Sequence, residues 1–231
     1  MIDRGRRNVL GILVNAVDYE AVVEQIVQAA RSRSPMAVSA LAVHGLMTGV
    51  LDPTHRYRLN RFDLLVPDGQ PVRWALNALY RTGLRERVYG PTLMLELCQR
   101  AAREGLPIWL FGGTTGLLDD LQKELRRQFP SLRIAGAEAS RFRRLSEAER
   151  DDLIAKARRS GAHIAFVGLG CPRQEVWAFE FRAALSMPIV AVGAAFNFHA
   201  GHLRQAPRLL QKAGLEWLFR LLCEPARLWR R

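Results

Sequence analysis

The sequence predicts an α/β fold: a Rossmann-like, mainly parallel sheet flanked by helices, followed by a basic, amphipathic helical appendage at the C-terminal end. Three observations predict it. Short apolar runs alternate with stretches whose apolar residues recur at helical spacing. Glycine-rich turns follow two of those runs, at Gly112-Gly113 and Gly168-Leu169-Gly170. The final stretch interleaves leucine and tryptophan with arginine.

Val9–Val14 reads as the first strand, and Tyr19–Arg31 as a helix with Val22, Val23, Ile26, Val27 and Ala30 on one side. Met36–Val43 reads as a strand. His44–Leu51 reads as a helix stopped at Asp52-Pro53, because a residue before proline disfavours helical geometry. Leu64–Pro67 is a short strand ending at Asp68-Gly69, and Val72–Leu79 and Thr92–Arg103 are helical. Strand Ile108–Phe111 leads through Gly112–Gly116 into helix Leu117–Gln128, which Pro130 terminates, and Leu132–Ala135 is the next strand. Ser146-Glu147-Ala148-Glu149 is a capping box, so a helix starts there and runs to about Arg159. Strands His163–Val167 and Ile189–Val192 enclose helix Pro172–Ala184, with Pro172 at its first position. The predicted organisation is a core over 1–201, with lobes of about 1–105 and 106–201, and an appendage over 202–231.

A chain of 231 residues buries a substantial core. Hydrophobic residues make up 49% and charged residues 24%, ordinary values for a globular protein. No apolar run approaches the ~20 residues of a membrane span. Val9–Val14 is too short for a signal-peptide core, so a cytosolic chain is expected. Cys98, Cys171 and Cys223 lie too far apart in sequence for a disulfide framework or a metal-ligand motif. The histidines form no His-x-x-x-His or Glu-x-x-His pair, and no metal site is expected. His199 and His202 read as structural or surface residues.

The net charge of +12 suits nucleic acid, anionic membrane or phosphorylated small molecules. Position narrows the choice. Between Arg204 and Arg231 stand seven Lys/Arg and two acids, among Leu209, Leu210, Leu215, Trp217, Leu218, Phe219, Leu221, Leu222, Leu228 and Trp229. Nucleic-acid sites pair basic residues with a few stacking aromatics. This leucine density fits a lipid surface or a partner surface better.

Several positions carry candidate chemistry. Gly112, Gly113 and Thr114 stand where a strand turns into a helix, whose free N–H groups bind anions; a plain tight turn reads equally well. The run lacks the Gly-Lys-Ser/Thr of a Walker loop and the spacing of the dinucleotide fingerprint. Gly168 and Gly170 hold the equivalent place after a second strand, and open α/β sheets bind ligands at such strand ends. Gln174 and Glu175 then fall in a first helical turn, able to hydrogen-bond a base or ribose, although an acid there also simply stabilises the helix dipole. Asp68, at a strand end before a glycine, is suited to general-base work; the alternative is a solvated Asp-Gly turn. His44 opens a helix after a strand and faces the same crevice in this reading. Arg220, Arg227 and Arg230 recur at spacings of seven and three, a diphosphate clamp or a solvated basic face.

Val66-Pro67-Asp68-Gly69, Arg87-Val88-Tyr89-Gly90, Phe111-Gly112-Gly113, Val167-Gly168-Leu169-Gly170-Cys171-Pro172-Arg173-Gln174-Glu175 and Gly214-Leu215-Glu216-Trp217-Leu218-Phe219-Arg220-Leu221, with Glu224-Pro225-Ala226-Arg227, occur in that order. Together they resemble the WecG/TagA/CpsF family of bacterial glycosyltransferases, from about Val9 to Arg231. The resemblance implies inverting, metal-independent transfer of a sugar, typically N-acetylmannosamine or its uronic acid, from a UDP donor. It implies a polyprenyl-diphosphate-linked acceptor at the cytoplasmic face of the inner membrane, and products that feed cell-surface polysaccharide. It implies Asp68 as base and Gln174 at the nucleotide sugar, with Arg87 in a matching segment. It also implies that Arg220, Arg227 and Arg230 close over the diphosphate, with an appendage that docks on an anionic membrane and an oligomer that gives way to an active monomer. Ala42-Val43-His44 stands where family members often have Thr-x-Asn, and Gln205-Ala206-Pro207 where they have Arg-Ala-Pro. Many members continue beyond the position of Arg231. No cofactor is expected. The competing readings are a non-catalytic nucleotide-sugar or membrane-binding module and, from charge alone, a nucleic-acid binder.

Overall fold

The computed structural model describes residues 1–223, apart from the side chains of Arg208, Arg220 and Cys223. β1 (Asp3–Val9) and β2 (Ile12–Val17) form an antiparallel hairpin. Then follow α1 (Tyr19–Arg31), β3 (Met36–Leu41), α2 (Val43–Leu51), α3 (Pro53–Leu59), β4 (Leu64–Pro67), α4 (Gln70–Tyr80) and α5 (Gly90–Glu104). β5 (Ile108–Phe111), α6 (Thr115–Gln128), β6 (Ile134–Glu138), α7 (Glu147–Arg159), β7 (Ile164–Val167), α8 (Arg173–Phe181) and β8 (Pro188–Ala191) complete the sheet region. α9 (Ala195–His199), α10 (Arg208–Lys212) and α11 (Glu216–Cys223) end the described chain.

Six strands make one fully parallel sheet in the order β4-β3-β8-β7-β5-β6. Helices cover both faces, which explains why the strands read as apolar runs without polar alternation. Within each strand, successive residues enter opposite cores. Val38, Leu110 and Phe166 face the layer of α1, α5, α6 and α9. Ala37, Trp109 and Val167 face the layer of α2, α3, α4, α7 and α8. In the second layer the rings of Trp109, Phe111, Trp177 and Phe181 stack in a row.

The α/β class is as predicted, and three elements differ from the sequence reading. Val9–Val14 is a hairpin rather than one strand. Leu10 and Gly11 both have positive φ, the geometry of a two-residue turn matched to strand twist. The chain does stop at Asp52, then starts again at once as α3. The Asp52 carboxylate accepts from the Thr54 and His55 N–H groups, and Pro53 occupies the first turn, where its missing N–H costs nothing. Pro172 precedes α8 as its N-cap, after a cis Cys171–Pro172 bond, instead of serving as its first helical residue. The capping box at Ser146 and Glu149 forms as predicted. Among the described residues no helix is long and apolar enough to cross a membrane.

Candidate active site

From β3 through β8 and β7 to β5, neighbouring strands send the chain to opposite faces of the sheet. After β3 it enters α2 and after β7 it enters α8, both on one face; after β5 and β8 it enters α6 and α9, on the other. Crevices open at the carboxyl ends between such strands, and these are the ligand sites of open α/β sheets. The loops that line them are glycine-rich for a packing reason. A Cβ at Gly112, where φ is +126°, would sit 2.6 Å from the carbonyl oxygen of Gly168. One at Gly168 would sit 2.6 Å from the Phe196 ring. The loops after β5 and β7 therefore touch backbone to backbone. Gly170 also has positive φ, but a Cβ there would meet nothing within 4 Å, so its backbone borders open space.

Asp68 follows β4 directly and is half-buried. Its Oδ1 accepts from the Gly90 N–H at 3.4 Å, and its own N–H donates to Leu41. Its charge acts on two tyrosines and an arginine nearby. The Tyr19 hydroxyl accepts from the Tyr89 N–H at 2.8 Å. Burial pushes the Tyr19 phenol up to about 12, and the Asp68 charge adds to that shift. Burial also works against the charge of Arg87, yet the carboxylates of Asp68 and Glu216 outweigh it and hold the guanidinium above its ordinary value.

Arg87 meets the appendage here. It donates to Glu216 at 2.5 Å, with the two side chains 11% and 14% exposed, and lies over the Tyr89 ring. The Tyr89 hydroxyl donates to the other Glu216 oxygen at 2.9 Å. Burial and the Glu216 charge hold that phenol well above its usual value. Gln211 adds a ring of weaker ties: its carbonyl accepts from Gln70, its amide donates to Ala206 at 2.7 Å, and its side-chain oxygen lies 3.4 Å from Arg87. The turn at Gly214 rests on Trp74, whose ring would lie 2.6 Å from a Cβ there. α10 and α11 are thus fastened to the core beside Asp68.

A strand-end acid and a nearly buried arginine thus stand at the carboxyl ends of the parallel strands, where open α/β sheets bind ligands. A family model described as the glycosyl transferase WecG/TagA/CpsF family matches residues 7–231. The chain belongs to the WecG/TagA/CpsF glycosyltransferase family. A glycosyltransferase handles a sugar donor and an acceptor, and the remaining expected site residues are placed against that activity.

In this WecG/TagA/CpsF glycosyltransferase, Gln174 is 3% exposed, and its Oε1 accepts from Gly170 N–H at 3.2 Å and Gly193 N–H at 3.0 Å. It ties together the loops that follow β7 and β8. Glu175 is 1% exposed, and its Oε1 accepts from Ser39 and Gln174, so it presents no surface to a ligand. Thr114 caps α6 through the Leu117 N–H. His44 is exposed in the first turn of α2. His199 bonds the Pro91 carbonyl and His202 pairs with Asp120, both structural contacts. Position 220 comes one helical turn after Glu216 in α11. The Arg220 side chain, Arg227 and Arg230 lie outside the described residues.

Sequence reasoning missed Tyr19, Tyr89, Gln211 and Glu216. Glu216 carried the one available signal, as an acid inside an otherwise apolar and basic segment.

Proposed function

We propose that this glycosyltransferase is inverting and metal-independent, and moves a hexose of the N-acetylmannosamine type from UDP to a polyprenyl-diphosphate-linked acceptor in cell-surface polysaccharide synthesis. The observation that carries the reading is that Arg87 and Tyr89, which hold Glu216 of the appendage, belong to the same segment as Gly90, whose N–H bonds Asp68, the proposed base.

The donor lies across the strand ends, its diphosphate beside Gly113 and Thr114 at the start of α6, because the Gly112, Gly168 and Gly170 N–H groups already donate to Glu138, Phe111 and Gln174. Asp68 takes the proton from the acceptor hydroxyl, which attacks the anomeric carbon opposite UDP. Charge grows on the departing diphosphate, and Arg220, Arg227 and Arg230 stabilise it. That contact forms as the bond breaks, so it acts on turnover more than on donor binding. Arg87 stands on the acid side of the site and fixes the appendage through Glu216.

The outer side of the appendage supports a place at the cytoplasmic face of the membrane. Leu209, Trp217 and Leu222 are 81%, 62% and 74% exposed, among basic residues. Such a surface enters the interface of an anionic bilayer.

The deciding experiment is a UDP-release screen over several UDP-sugars with a short-chain prenyl-diphosphate-sugar acceptor. Release that requires both donor and acceptor is expected. UDP binding without release under any pairing would instead favour a non-catalytic nucleotide-sugar module.

A further inference from the structure

Three ligand-type side chains from distant parts of the chain meet under the loop that follows β7. A ring nitrogen of His55 in α3, the Cys171 Sγ and a Glu175 carboxylate oxygen lie within 4.8 Å of one another. His55 and Glu175 are each 1% exposed, and Cys171 is half-buried. Neither His55 nitrogen has a protein hydrogen-bond partner, nor does Glu175 Oε2. Buried polar atoms are rarely left without partners, and here His55 and Glu175, each with an unpartnered atom, meet in one place.

The donor set is specific. Imidazole, thiolate and carboxylate together form the ligand class of zinc, which takes four ligands in tetrahedral geometry. One divalent cation with one thiolate and one carboxylate is neutral, so the group can be buried without leaving a net charge in the core. The surroundings are those of a ligand that is already oriented. Ser39 Oγ and Gln174 Nε2 both donate to Glu175 Oε1, at 3.0 and 2.9 Å, and leave Oε2 for the ion. Solvent completes the fourth position on the half-exposed side of Cys171, as in sites with three protein ligands.

We propose that His55, Cys171 and Glu175 form a zinc site that joins α3 to the loop after β7. Binding displaces the thiol proton to solvent, and no electron transfer is involved. The ion is structural: Glu175 adjoins Gln174, which ties Gly170 to Gly193, so the ion braces the crevice floor from behind. No sequence motif marks this site, because the ligands come from two segments with no metal-binding spacing between them. Glu175, read from sequence as a substrate contact, becomes a ligand in this account. Its test does not depend on the donor or acceptor proposed above.

The test uses the full chain, equilibrated with zinc and then dialysed against metal-free buffer. Elemental analysis should find one zinc per chain. The cobalt-loaded protein should show a thiolate-to-cobalt band in the near ultraviolet, and zinc should raise the melting temperature. Cys171→Ser, at a half-exposed position, should keep its circular dichroism while losing the bound zinc, the band and the thermal shift. Cys98 and Cys223 remain in that variant as internal controls. If His55→Ala fails to fold, Cys171→Ser still decides. Zinc well below one per chain in the wild type, or a cobalt band and melting shift unchanged in Cys171→Ser, overturns the site.

Discussion

At the scale of the residue, the roles proposed for Asp68 and Glu216 can be tested separately. Asp68→Asn keeps the shape and the Gly90 contact but cannot take a proton. Transfer should fall by ~10²–10⁴, the range for loss of a general base, while UDP affinity measured by calorimetry stays unchanged. Retention of more than about a tenth of wild-type turnover, far outside that range, rules Asp68 out as the base. Glu216→Ala leaves Arg87 in a nearly closed space without its partner. Losing one member of a buried pair costs up to ~3–5 kcal/mol, and here the loss falls on the hold of the appendage. Amide exchange in α10 and α11 should quicken while the sheet stays protected. An unchanged exchange pattern would mean that Trp74 and Gln211 suffice to hold the appendage. Asp68 was legible in the sequence because a short apolar strand ended at it. Its setting was not, since Tyr19, Tyr89 and Glu216 come together from three separate segments.

At the scale of the element, the glycine loops were legible as turns, but the reason for each glycine was not. Gly112 and Gly116 stand in one run and should respond in opposite ways. Gly112→Ala places a methyl against the Gly168 carbonyl at a φ that L-residues rarely adopt. Its cost should reach ~3 kcal/mol or more, from backbone strain and overpacking together. Gly116 lies in α6 with open space around a Cβ, so Gly116→Ala should stabilise by ~0.5–1 kcal/mol. Urea denaturation of both variants checks the pair, and equal midpoints would refute the loop-contact account. The capping box makes a prediction about pH. Arg143, followed by the Ser146 N–H, holds the Glu149 carboxyl down at about 2, against an ordinary value of 4.5. A depressed carboxylate stabilises the fold above its unfolded value and loses that contribution as the pH falls through its folded one. The melting temperature of the wild type should therefore drop more steeply between those two values than that of Glu149→Gln. Identical acid limbs would show that the Glu149 charge contributes nothing measurable.

At the scale of the whole molecule, strands from both halves of the chain join one sheet, with β8 inserted between β3 and β7. The appendage adds a second surface to that body. A variant ending at Gly201 should still unfold cooperatively, because both core layers lie almost wholly before that point. It should also lose sedimentation with anionic vesicles, whereas the full chain should bind anionic vesicles better than neutral ones. Equal binding to both vesicle types would argue against electrostatic docking. The α/β class, most element positions, the capping box and the strand-end acid were set by local patterning: apolar period, caps and glycine turns act within a few residues of the chain. Only the tertiary structure decided which strands are neighbours, that Gln174 ties two loops together, that Glu216 locks Arg87, and that His55 meets Cys171 and Glu175. Those pairings depend on how the helices distribute over the two faces of the sheet, and no local spacing encodes that.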